Sequence, residues 1–212
     1  MKTLPFNACD YRCERCLETE HCAVFRMESE REEHNFALSR ESDGIEAVLR
    51  DVSEIFAETR EMLLEKAEEF GVDLDEPAEA EPRETTEDAR RDPLHQRAYE
   101  FMDKMRDLLK KIEPVITPQG KEFFEDIVWH HTIISTKTFR AISSDYEPEM
   151  RFDAVNSAGV AMKSLTICIM ALEELASLYP EMTVECRKFS DIARGIKQTL
   201  RERFAFDSER NE

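Results

Sequence analysis

Five glycines are scattered through 212 residues, so this chain has few places at which its backbone can turn tightly. Charged residues make up 36% of it. Scarce glycine with abundant charge points to long, partly exposed helices with few tight turns, and the sequence carries almost no strand signal. Prolines at 114, 118, 148 and 180 divide the C-terminal half into blocks whose apolar residues recur at three- and four-residue intervals. The pattern predicts helices over 22–40, 45–70, 93–112, 118–144, 152–178 and 183–206. The expected fold class is all-α: a bundle of about four antiparallel helices, preceded by a cysteine-rich metal-binding loop and a long helix.

The long helix, Ile45 to Phe70, is the best delimited. Asp43 and Glu46 have the spacing of an N-terminal capping pair, and Gly71 offers a C-terminal stop. Its apolar residues, from Ile45, Val48 and Leu49 through Phe56 to Phe70, keep to one side, which predicts a buried face. In the helix over 152–178, the run from Ser157 to Leu172 has Lys163 as its sole charge. Such a helix belongs at the centre of the bundle; a membrane span wants about 20 apolar residues without a lysine near the middle.

Between the two helical parts, residues 72–92 hold Asp, Glu, Pro, Ala, Thr and Arg and almost no large apolar side chain, which reads as a flexible acidic linker. The expected organisation is a cysteine-rich loop plus two helices over 1–71, the linker over 72–92, and a four-helix bundle over 93–212. The 47 acidic and 29 basic residues give a net charge of −18, which repels phosphate backbones and anionic lipid headgroups. Neither nucleic acid nor a membrane is an expected partner. A protein docked on the acidic helices is, and helices of this length also pair with copies of themselves.

The densest chemistry lies at the start. Cys9, Cys13, Cys16 and Cys22 fall in the segment Cys9-Asp-Tyr-Arg-Cys13-Glu-Arg-Cys16-Leu-Glu-Thr-Glu-His21-Cys22. Thiolates are soft, strongly donating ligands, and four from one short loop match a tetrahedral zinc or an iron–sulfur cubane. A disulfide staple would require an oxidising compartment. The opening residues have no apolar run of the length a signal peptide needs, so a cytoplasmic location is expected. Zinc knuckles lean on glycine for their turns and this segment has none, which tips the expectation to a [4Fe-4S] cluster, with zinc as the alternative. The remaining cysteines, Cys168 and Cys186, lie in helical stretches and read as small hydrophobes.

The stretch Cys13-x2-Cys16-x5-Cys22 resembles the last three ligands of the four-iron loop in endonuclease-type DNA glycosylases. The resemblance covers this loop alone and implies a cluster ligated by Cys9, Cys13, Cys16 and Cys22. Those enzymes carry the loop beside a helix-hairpin-helix module and basic surfaces, neither of which is present here, so their DNA chemistry is not implied. The spacing Cys9-x3-Cys13-x2-Cys16 is also similar to that of radical S-adenosylmethionine enzymes, but Arg15 stands where an aromatic residue is usual, and their barrel needs strands.

A second candidate site lies in the helix over 118–144. At about 100° per residue Asp126, His130 and Lys137 share a flank, His131 falls nearer the apolar face, and Lys163 and Asn156 can face them from the next helix. A lysine of lowered pKa beside an imidazole and a carboxylate can move protons. The structural alternative is a hydrogen-bonded core histidine and a salt-bridged lysine. A di-iron carboxylate centre needs two Glu-x-x-His pairs on separate helices, whereas the sole such pair, Glu18 and His21, lies inside the cysteine loop. The favoured function is therefore a metal-binding protein with a structural, electron-handling or partner-docking role and no assigned catalytic residue; the alternative is an enzyme or small-ligand binder with its site in the bundle.

Overall fold

The structure, a computed structural model, describes residues 9–38, 40, 44–71 and 84–204. Among them the regular elements are seven α-helices and short 3₁₀ turns, with no strand: α1 Ala23–Ala37, α2 Ile45–Phe70, α3 Glu84–Arg91, α4 Pro93–Ile112, α5 Lys121–Asp145, α6 Arg151–Leu178 and α7 Thr183–Phe204. The chain is all-α, and its described residues divide into two compact units. One holds residues 13–71, with α1 and α2; the other holds residues 9–12 together with α3 to α7.

In the second unit, α4 packs on α5 and α7, α5 on α6, and α6 on α7, while the short α3 lies against α4 and α5. The core between them is filled by Phe101 and Met105 from α4, Ile134 and Ile142 from α5, Leu165 and Leu172 from α6, and Leu200 and Phe204 from α7. The connections are tight. Asp92 caps α4, its carboxylate accepting a hydrogen bond from the Leu94 amide at 2.8 Å, with Pro93 at the first helical position. Before α5, the Tyr179 hydroxyl meets the Thr117 amide and hydroxyl, each at 2.8 Å, and its ring lies where a side chain at Gly120 would stand. That close approach is the reason the loop carries glycine at 120.

The central-helix expectation for α6 fits its packing against both α5 and α7. Ser157, Ala158 and Ala161 are wholly buried, as small residues at a close helix crossing should be. By length and composition Pro148–Leu178 could cross a membrane, and half of its most apolar window is buried.

Several sequence expectations are corrected. The linker expected over 72–92 ends earlier: residues 84–91 form α3, and Ala89 is fully buried in the core. One alanine on a charged helix suffices to seat it against larger neighbours, so local composition gave no warning. Residues 72–83 lie outside the described part. The boundary of the N-terminal domain also shifts, because residues 9–12 belong with the helical bundle and not with 13–71. Helix α5 begins at Lys121 because Pro118, Gln119 and Gly120 form a turn, with the Gly120 amide on the Thr117 carbonyl.

In the first unit, α2 has the expected bounds and closes on Gly71 in the left-handed region at φ 65°, a conformation open to glycine. The expected cap residue Asp43 lies outside the described residues. The buried face is not found: only Ala47 and Ala67 are buried, while Ile45, Val48, Leu49, Val52, Ile55, Phe56, Met62, Leu63 and Phe70 are exposed. The reason is the way α1 pairs with α2. Polar groups make the joint: Asn35 donates to Asp51 at 3.2 Å, Arg40 to both oxygens of Glu54 at 2.8 and 2.9 Å, and Arg31 to Glu58 at 2.6 Å.

Candidate functional site

None of the six cysteines is in a disulfide. Cys9 belongs to the second unit and its sulfur accepts a hydrogen bond from the Tyr11 amide at 3.2 Å. In the first unit the Cys16 sulfur accepts one from the Glu18 amide at 3.5 Å, Cys13 faces Glu28 at 4.0 Å, and Cys22 stands at the N-cap position of α1 without a side-chain cap bond. Among the described residues no group of three or more His, Cys, Asp or Glu side chains is arranged to hold a metal ion. The two remaining cysteines are as expected: Cys168 and Cys186 are fully buried, and burial pushes both thiols up, that of Cys186 to about 11, which makes them poor thiolate ligands at neutral pH.

The second candidate site is built where residues 9–12 lie along α5 and α6. The Asp10 carboxylate, largely buried, meets the Lys163 ammonium of α6 at 2.6 Å. The Asp10 carbonyl accepts the indole N–H of Trp129 at 2.8 Å, and the Arg12 guanidinium stands 5.4 Å from the centre of that indole and 3.5 Å from Asp126. Tyr11 adopts φ 59°, in the left-handed region that bulky residues avoid, and its ring lies 5.8 Å from the Lys137 ammonium. Under this strap His130 is 2% exposed, with Nδ1 3.1 Å from the Ser164 hydroxyl.

The electrostatics follow from these contacts. Burial pulls the Asp10 carboxyl up, but the hydrogen bond and charge of Lys163 and the Arg12 amide outweigh it, leaving it below the ordinary carboxylate range. Burial holds the His130 imidazole below its usual value despite the nearby charges of Asp10 and Asp126. His131 is likewise pulled down by burial; its Nδ1 lies 3.0 Å from the Ile127 carbonyl and 2.8 Å from that of Val128. Lys137 is lowered by burial and by the charge of Arg140, against the pull of Asp153 and Cys9.

Of the residues expected in this site, Asp126 and His130 are brought together with Lys163 through the strap. Lys137 takes part through Tyr11. His131 does not: its Nδ1 meets two carbonyls of its own helix, and it is a core histidine. Lys163 corrects the expectation of an enclosed lysine, since its side chain is 63% exposed; burying an ammonium is costly, and its long stem carries the charge outward to Asp10. Asp10, Tyr11 and Arg12 were missed by sequence reasoning. They stand between the first two cysteines, more than 110 residues from the helix they contact, and no local pattern announces such a pairing.

No protein-family model, curated protein or solved structure matches this chain.

Proposed function

We propose that Cys9, Cys13, Cys16 and Cys22 hold one metal centre, a [4Fe-4S] cluster or else zinc, and that the protein serves a structural, electron-handling or partner-docking role in the cytoplasm. The observation that carries this reading is the set of four cysteines within one short segment, none of them in a disulfide, two of whose sulfurs accept backbone N–H bonds. Such bonds stabilise negative charge on sulfur and are the means by which proteins tune thiolate-ligated centres. The donor set fits soft metals, and free thiols have no mutual attraction that would gather them before an ion does so. A cluster would supply one-electron chemistry; zinc would supply rigidity alone.

The test is elemental and labile-sulfide analysis of protein purified without oxygen, with its visible spectrum. Iron with sulfide in stoichiometric amount and broad visible absorption identifies a cluster, and stoichiometric zinc in colourless protein identifies the alternative. Absence of both contradicts the proposal, as does a Cys13→Ser variant that keeps its full metal content.

A second reading is favoured by one observation: Asp126 and Lys163 both engage the strap that covers the buried imidazole of His130, which burial pulls below its usual value. That arrangement suits proton transfer or the binding of a small polar ligand at α5 and α6.

A further inference from the structure

Helix α2 presents its apolar residues on a side that its own hairpin partner does not cover. At about 100° per residue, Ala47, Asp51, Glu54 and Glu58 share the face that meets α1, and the exposed stripe is centred about 130° around the helix from it. The stripe has a seven-residue repeat: Leu49, Phe56, Leu63 and Phe70 form one series, with Val48 and Ile55 beginning another beside it. Such a repeat packs one helix lengthwise against another.

We infer that α2 is a self-association surface, and that its occupant is the α2 stripe of a second copy of this chain. The area argues for it. Nine apolar side chains on the stripe, 41% to 73% exposed, offer on the order of 500 Å² of apolar surface at about 90 Å² for each fully exposed side chain. A standard interface buries about 800 Å² per partner, about 60% of it apolar, which is the same amount. The shape argues for it as well. One end of the stripe carries Ile45 and Val48 and the other the bulkier Phe70, with Phe56 near the middle. Antiparallel pairing sets Phe70 against Ile45, whereas parallel pairing stacks Phe70 on Phe70 as well as Phe56 on Phe56. Helix α2 carries eight Asp and Glu against three Arg and Lys, and the whole chain a net charge of −18, so two copies repel through their net charge and attract through the stripe. Added salt therefore tightens this dimer, the opposite of its effect on a contact with a basic partner. The inference is independent of the metal reading.

The experiment is sedimentation equilibrium of the full chain. The wild type is expected at twice its 24.8 kDa mass. Its dissociation constant should fall as NaCl rises from about 0.05 M to about 0.5 M. Val52→Glu with Phe56→Glu should raise that constant at least about tenfold, with bundle structure retained by circular dichroism. Should helicity drop, the neutral pair Phe56→Ser and Leu63→Ser replaces it and must also weaken the dimer. A wild-type chain that stays at 24.8 kDa up to about 100 μM overturns the inference, including the case in which other helices of the same chain cover the stripe. A dimer that survives the substitutions, or that salt weakens, overturns it too.

Discussion

Replacing Asp153 with asparagine should weaken the helical bundle by about 2 kcal/mol at neutral pH, and by less as acid protonates the carboxyl. Asp153 is buried at the first turn of α6 and ties that helix to the end of α5. Its two oxygens accept three contacts from Arg140, at 3.0 to 3.2 Å, and one from the buried Ser144 hydroxyl at 2.6 Å. The Arg140 side chain is 52% exposed, so water replaces much of what it loses, and its share is discounted to about 1 kcal/mol. The short, charge-assisted Ser144 bond contributes about 1 kcal/mol more. Asparagine keeps the shape but has one oxygen and no charge. Burial alone would raise the Asp153 carboxyl, yet the hydrogen bonds from Arg140 and Ser144 hold it below the ordinary range. Because it titrates lower folded than unfolded, its contribution is present above the unfolded range near about pH 4 and is lost as pH falls through the folded value. Urea unfolding followed by fluorescence reports on this unit, since Trp129 in α5 is the one tryptophan. With a slope of about 2 kcal/mol per M, the midpoint should drop by about 1 M at pH 7 and by much less at about pH 3. An equal drop at both values, or one below about 0.3 M at pH 7, refutes the reasoning.

Two further outcomes are expected. Lys163→Met removes the ion pair that seats Asp10, so amide exchange over residues 9–12 should speed up about three- to tenfold while α7 is unchanged; equal exchange in both proteins would mean the strap is held by Trp129 and Arg12 alone. His130 and His131 are pulled down chiefly by burial, so their ring-nitrogen shifts should report protonation at a lower pH than free histidine in the same sample. Their folded values lie below the unfolded ones, so the stability they contribute is present above the ordinary imidazole range and falls away as acid charges them; rings that titrate with free histidine would show that the burial is not real.

The helices were legible in the sequence because their causes are local. A three-and-four apolar rhythm, a proline at the first helical position and a glycine that closes α2 act over a single turn, and α2 and α4 have the bounds that such signals predict. The cysteine cluster is equally local, which is why its donor chemistry could be read at once. What the sequence misplaced are matters of which surface meets which. Ala89 seats α3 in the core although its neighbours are charged, and the apolar side of α2 is exposed because α1 pairs with a polar face.

The primary structure by itself determined an acidic, all-helical chain with four thiols gathered in one segment, since charge, periodicity and ligand type need no neighbours to be read. Only the tertiary structure decided that residues 9–12 lie on α5 and α6, with Asp10 on Lys163 and Arg12 on Asp126, and that His130 is sealed beneath them. Those contacts join groups more than 110 residues apart, and nothing in the local sequence encodes a meeting that chain folding alone brings about.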